Sequence, residues 1–123
     1  MSIRFDQGFA GELQYESGSF GVVFSSFMFH HLESKDREKT LREVRRVHKP
    51  SGTFYLLDFE VPQTSSGHGL FHMFHSSERL RDNSEDRILT LMRDAGFSES
   101  KKIATLPVLF RLGRAGLYQG TTR

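Results

Sequence analysis

The chain has 123 residues, of which 37% are hydrophobic and 26% charged, a composition that predicts one soluble globular domain with a small core. Lys and Arg number 17 against 15 Asp and Glu, so bulk charge gives no reason to expect nucleic-acid binding. The absence of cysteine excludes disulfides and thiolate chemistry. No apolar run approaches the roughly 20 residues that span a bilayer, and no signal-like block opens the chain. We therefore expect a cytoplasmic protein without a membrane partner.

The first half of the chain predicts a strand, a helix and a second strand. "SIRF" could form a very short strand, and the apolar run Gly21 to Phe29 predicts a strand buried on both faces. Ser34 is the expected N-cap of a helix that Pro50 ends. Its apolar stripe is predicted at three positions with helical spacing, which are Leu41, Val44 and Val47. The following strand is expected over Phe54 to Leu57, ending at Asp58.

The second half predicts one clear helix and two final strands. Asn83 or Ser84 is the expected N-cap, and Gly96 suits the left-handed position after the helix. The remaining residues predict two strands, separated by an interruption at Pro107. Because no helix is expected between these two strands, they suggest an antiparallel hairpin at a sheet edge. This order of elements is typical of an α/β fold. In open α/β sheets, ligands bind beyond the carboxyl ends of the parallel strands, where Ser25 to His31 are expected.

Several motifs occur in an order that resembles a known family. "GFAGELQYESGSF", "VVFSSFMFHHL", "LREVRRVHKPSG", "LLDF" and "AGF" follow one another over nearly the whole chain. Together they resemble the C-terminal half of a class I S-adenosylmethionine-dependent methyltransferase, closest to the small-molecule enzymes of the ubiquinone and menaquinone biosynthesis type. The resemblance implies an α/β, Rossmann-like sheet, mostly parallel with a C-terminal antiparallel hairpin.

The resemblance also implies contacts with the cofactor S-adenosylmethionine. Phe9 and Ala10 match the place where an acidic residue and its neighbour usually contact the adenine, so the amino group would need another acceptor here. Ser25, Ser26 and Phe27 match the strand end beside the methionine portion of the cofactor. Packing where the strand meets a helix is an equally good explanation for the two serines.

The paired histidines His30 and His31 match a loop on the substrate side of the family site. An imidazole titrates near neutral pH and could accept a proton from an oxygen or nitrogen methyl acceptor, so both are candidate catalytic residues. Capping or packing at the strand end is the plainer alternative. For Asp58, bonding to a nearby turn or backbone amide is favoured over substrate binding.

Residues 1–123 are expected to be a single, partial methyltransferase domain. Nothing in the sequence resembles the glycine-rich cofactor loop of the family, which would lie upstream of Met1. The strand Gly21 to Phe29 would then be an exposed apolar edge, for which we expect a second copy or a partner chain as cover.

Two functions follow as alternatives. One is S-adenosylmethionine-dependent methyl transfer to a small molecule by a fragment or remnant, and the other is a non-catalytic dimerisation or interaction module derived from the fold. A zinc site at His68, His72 and His75 fits helical spacing. An ordinary aromatic face is favoured there, and no metal is expected.

Overall fold

A computed structural model describes residues 2–60, 84–108 and 113–122 of the chain. Within them a short 3-10 turn, Phe29–His31, separates the first strand from the first helix. In chain order the strands and helices are β1 Phe20–Ser26, α1 Ser34–Val47, β2 His48–Glu60, α2 Glu85–Asp94, β3 Glu99–Val108 and β4 Gly113–Thr121.

The four strands form one mixed sheet in the order β1-β2-β4-β3. β1 runs parallel to β2, whereas β4 runs antiparallel to both β2 and β3. The expected α/β class and C-terminal hairpin are confirmed, but a mostly parallel sheet is wrong for the described residues. The reason is that β3 and β4 form a hairpin and β4 inserts beside β2, which leaves a single parallel pair.

Both helices pack against the same face of the sheet. Phe54 and Leu56 alternate along β2 and point into the core, and Leu56 lies opposite Tyr118 of β4. The predicted apolar stripe of α1 is confirmed, since Leu41, Val44 and Val47 are all buried. From α2 the core receives Ile88 and Met92. The core therefore lies between β2, β4 and the two helices.

Several predicted boundaries differ in position. Helix α1 has Glu33 rather than Ser34 as its N-cap, and it ends at Val47, so Pro50 is not what stops it. Instead Pro50 lies inside β2, where the pairing with β1 shifts register. The expected strand Phe54 to Leu57 is therefore the centre of a much longer one.

The C-terminal boundaries follow the predictions more closely. Ser84 is the N-cap of α2, and Gly96 after it has a positive φ of 106°. Pro107 does not interrupt the strand, because β3 continues through it to Val108. Pro107 itself lies opposite Arg114 of β4. β3 is an edge strand of this sheet, where a residue without an N–H is tolerated.

The strand β1 is the other edge of the sheet in the described part of the chain. It begins one residue before the predicted strand and ends at Ser26. Burial on both faces is wrong, since Val22 is 62% and Phe24 57% exposed. The helices cover only the opposite face, which explains the difference. "SIRF" lies outside regular structure, and none of the described helices is long and apolar enough to cross a membrane.

Candidate functional site

The chain turns sharply at the carboxyl end of β1. Phe27 adopts a left-handed backbone conformation with φ of 53°, which is unusual for a bulky side chain and costs roughly 1–2 kcal/mol. Its N–H donates to the carbonyl of Leu57 at 2.8 Å, and its ring packs against Phe59 at 4.9 Å between centroids. Strained backbone of this kind concentrates at functional sites, and here it directs the chain across the end of β2.

The two serines that precede this turn have different environments. Ser26 is exposed, whereas the hydroxyl of Ser25 is inaccessible to solvent and has no hydrogen-bond partner. A buried hydroxyl without a partner is costly. Ser25 therefore has an unpaired hydroxyl at the end of β1, where the family resemblance implies contacts with the cofactor.

His30 and Asp58 form a buried pair just beyond the turn. The Asp58 carboxylate bonds the ring Nδ1 of His30 at 2.6 Å and accepts the main-chain N–H of His30 at 2.8 Å. The side chains of His30 and Asp58 are only 4% and 0% exposed. This burial agrees with the packing alternative for His30, whose catalytic role stays a prediction, and Asp58 bonds a backbone amide of the nearby turn. Asp58 is not the last residue of its strand, because β2 continues to Glu60.

His31 has a different position from its neighbour. It is exposed, and its ring centroid lies 4.0 Å from that of His30. Of the two candidate histidines, His31 is the one whose ring can reach a molecule bound from solvent.

Arg37 of α1 also contacts this turn, although no pattern in the sequence distinguishes it from the other charged residues of the helix. Its side chain is fully buried, its Nε donates to the carbonyl of Leu32 at 2.9 Å, and its guanidinium lies 5.0 Å from the ring centroid of Phe29. In the sequence it looks like one of the many charges on an amphipathic helix. Only the burial and the hydrogen bond of Arg37 show that this side chain anchors the turn to α1.

Phe9 and Ala10 line a separate hollow of about 420 Å³ formed by residues 4–15. Phe9 is 83% exposed there. The hydrogen bond from Tyr15, followed by that from Arg4, lowers the pKa of Asp6. Ser25, Ser26 and Phe27 do not line this hollow, so the structure does not bring the two groups of expected cofactor residues into one cavity.

A second polar cluster, made of Glu60, Lys102, Glu85 and Tyr118, lies at the edge of the core. Lys102 Nζ bonds Glu60 Oε1 at 2.6 Å and approaches Glu85 Oε1 at 3.4 Å. Burial, followed by the charge of Glu60, raises the pKa of Tyr118, and its buried hydroxyl has no hydrogen-bond partner. Sequence reasoning missed this cluster, since its members come from three separate strands and a helix.

Within the described residues no group of three or more His, Cys, Asp or Glu side chains is arranged to hold a metal ion. His68, His72 and His75, the proposed zinc ligands, lie outside the described residues. The ordinary aromatic face that is favoured at these three positions therefore stays a prediction.

With its α/β arrangement and a polar site at the strand ends, the chain has a methyltransferase-like fold. Residues 1–56 match a family model described as a methyltransferase domain. This match confirms the resemblance drawn from the motifs: the chain covers part of a methyltransferase domain.

Relatives and solved structures agree with this result. The chain is 35% identical over 86 residues to the uncharacterized methyltransferase YcgJ of Bacillus subtilis, covering 70% of this chain and 32% of that protein. It is 34% identical over 74 residues to the demethylmenaquinone methyltransferase of Deinococcus radiodurans, covering 60% and 30%. The chain therefore spans about a third of the length of these relatives.

Two solved structures share the fold. The crystal structure of YcgJ superposes with a TM-score of 0.77 at 19% identity, covering 98% of this chain and 71% of that one. A Haemonchus contortus N-methyltransferase, in complex with phosphomonomethylethanolamine and S-adenosylhomocysteine, gives 0.72 at 13% identity, covering 92% and 35%. At these identities the structures show the fold alone.

Proposed function

We propose that the carboxyl end of β1 and β2 is part of a site for S-adenosylmethionine-dependent methyl transfer to a small molecule. The observation that carries this proposal is the strained turn at Phe27, which follows the buried hydroxyl of Ser25 and leads to the paired histidines. All of them lie at the edge where ligands bind in open α/β sheets. The family match of residues 1–56 includes this whole stretch.

The residues of this edge fit one portion of the proposed cofactor. Ser26 is exposed at the strand end and leaves room for a ligand, and the hydroxyl of Ser25 next to it is enclosed and has no hydrogen-bond partner. Phe9 and Ala10 border a hollow of a size that small ligands occupy, and we assign them to the adenine. The proposal thus assigns Ser25, Ser26 and Phe27 to the methionine portion.

The proposed reaction requires little acid–base chemistry from the protein. S-adenosylmethionine, when bound, supplies a methyl group on an electrophilic sulfonium, so the protein mainly has to align donor and acceptor. We assign His31 as the general base, since its exposed ring can take the proton of an oxygen or nitrogen acceptor. The buried ring of His30 is held by Asp58 and serves the site indirectly.

Isothermal titration with S-adenosylhomocysteine tests the cofactor site. We expect binding heat for the unchanged chain at up to millimolar ligand, and its loss in Ser26→Arg, because that side chain would fill the strand end. Arg42→Ser, on the exposed face of α1, is the matched control and should bind like the unchanged chain. Absence of heat with all three proteins would contradict a self-sufficient cofactor site.

The alternative function is a non-catalytic interaction module that keeps the fold. It is favoured by one observation, the apolar and uncharged edge β1, with Val22 and Phe24 exposed on the face that neither described helix covers. A thermal-shift assay separates the two functions, because a ligand that binds only the folded chain raises its Tm. A Tm that does not change with millimolar S-adenosylmethionine supports the interaction module.

We further propose that a second copy of the chain covers β1. Val22 and Phe24 of β1 are each more than half exposed on its outer face. Pairing of β1 with a second copy would cover both side chains and bond the unpaired edge of the strand. A domain of residues 1–123, a homodimer and a cytoplasmic location are part of this proposal.

Light scattering over a concentration series tests the homodimer. We expect Val22→Lys to shift the chain to monomers, because lysine on an edge strand opposes pairing. Leu106→Lys, a similarly exposed position on the opposite edge strand β3, is the control and should leave the dimer intact. A monomeric unchanged chain at micromolar concentration, or an equal effect of both variants, would contradict pairing through β1.

A further inference from the structure

The backbone of His30 is held at both its N–H and its carbonyl group by buried charged side chains. On one side Asp58 accepts its N–H at 2.8 Å, and on the other the Arg37 guanidinium lies 3.4 Å from its carbonyl oxygen. Asp58 and Arg37 belong to β2 and α1, and both are fully buried. The short turn that carries both histidines is therefore fixed by one strand and one helix, in addition to its own backbone bonds from His31 to Met28 and from Leu32 to Phe29.

The Asp58 carboxylate also determines the hydrogen-bonding state of the His30 ring. One of its oxygens lies 2.6 Å from Nδ1 of His30 and also accepts the N–H of Phe59 at 2.8 Å. An ionised carboxylate can only accept, so Nδ1 of His30 must carry the proton. In the neutral ring Nε2 is then the acceptor, and one tautomer is selected.

We infer that Asp58 is the positioning residue of the candidate site, acting through His30 to orient His31. The exposed ring of His31 lies 4.0 Å from the ring of His30, so the fixed ring is a surface against which His31 rests. Arg37 holds the same turn from the other side. This inference rests on the proposed function only in taking His31 as the base, and the geometry of the pair does not depend on it.

The test uses nuclear magnetic resonance of the histidine side chains in the protein without ligand. We expect a single Nδ1–H tautomer for His30 in the unchanged chain. In Asp58→Asn we expect a mixture of tautomers together with displaced ring signals of His31, because an amide can donate as well as accept. The tautomer of His30 reports directly on the ring nitrogen that Asp58 contacts, and it is compared in variants whose folded state is verified.

Glu43→Gln is the matched control. Glu43 also accepts a main-chain N–H, that of Leu13 at 2.8 Å, and pairs with Arg46, but it lies on α1 away from the histidines in sequence. We expect both histidines to keep their signals in this variant. A folded Asp58→Asn protein with an unchanged His30 tautomer and unchanged His31 signals would overturn the inference, as would an equal change in Glu43→Gln.

A second variant covers the case in which Asp58→Asn does not fold. Asp58→Glu keeps the charge but moves the carboxylate by one methylene, so we expect the His30 tautomer to persist while the His31 signals shift. Unchanged His31 signals would overturn the inference. Where methyl transfer is measurable, Asp58→Asn should lower kcat by on the order of 10–100-fold with little change in KM. Failure of cofactor binding would leave the resonance outcome intact, so the two failures can be told apart.

Discussion

The two parallel strands of the sheet both carry apolar residues but differ in how they are packed and paired. β2 is paired on both sides, and its side chains Phe54 and Leu56 are buried under the helices. Among the described strands β1 is paired on one side only, and its Val22 and Phe24 are largely exposed. Most of the buried apolar side chains of the sheet, and therefore most of its contribution to stability, lie on β2 and β4. The candidate site joins that stable region to the weakly covered strand.

The largest expected effect contrasts one apolar residue from each strand. Leu56→Ala should lower the free energy of unfolding by about 2–5 kcal/mol, because it opens a cavity in the core. Val22→Ala should change it by no more than about 0.5 kcal/mol, since that side chain already contacts solvent. Urea denaturation at a concentration where the chain is monomeric provides the measurement. Similar losses in both variants would show that β1 is buried in solution.

A pair of glycines gives the next effect in size. A Cβ at Gly116 of β4 would lie 2.9 Å from the hydroxyl of Tyr118, whereas nothing lies within 4 Å of a Cβ at Gly21 of β1. Gly116→Ala should therefore destabilise the chain by about 1–3 kcal/mol through overpacking. Gly21→Ala should be neutral or slightly stabilising. Thermal unfolding of the two variants measures this difference, and an equally harmful Gly21→Ala would contradict it.

The periodic parts of the fold could be predicted because they depend on local patterns. The stripe Leu41, Val44 and Val47 and the cap at Ser84 are visible as spacing and residue type, and both are confirmed. The continuation of β2 back to His48 and the passage of β3 through Pro107 could not be predicted in this way. Both depend on which neighbouring strand is present and on which side it pairs.

The position of the candidate site in the fold could be predicted, but the different environments of its two histidines could not. The strand-end rule placed Ser25 to His31 correctly at the carboxyl edge. It could not distinguish the buried His30 from the exposed His31, because adjacent residues of a turn have no fixed period. The partnership of His30 with Asp58 joins residues far apart in the chain, and single-sequence patterns carry no information on such pairs.

Two tyrosines extend the comparison to alkaline pH. Burial raises the pKa of Tyr118, while in the exposed segment before β1 the hydrogen bond to Asp6 raises the pKa of Tyr15. A tyrosine whose pKa is raised by folding stabilises the fold less as pH rises above its unfolded value of about 10. Tyr118→Phe should therefore flatten the loss of stability above about pH 10, whereas Tyr15→Phe should change it little, because solvent screens that exposed pair. Chemical denaturation over this range is the measurement, and indistinguishable profiles for the two variants would contradict the burial of Tyr118.

The smallest effect concerns two non-glycine residues that have left-handed backbone in the described part of the chain, Ser51 of β2 and Phe27 after β1. Ser51→Gly should stabilise the chain by roughly 0.5–1 kcal/mol, because glycine adopts this conformation without strain and Ser51 is exposed. Phe27→Gly releases the same strain but loses the ring contact with Phe59, so we expect a smaller gain or a net loss. The difference between the two variants in denaturant midpoint measures the contribution of that contact. A gain at Phe27 as large as that at Ser51 would mean that the ring contributes nothing to folding, and that the strain at the end of β1 is retained for the site alone.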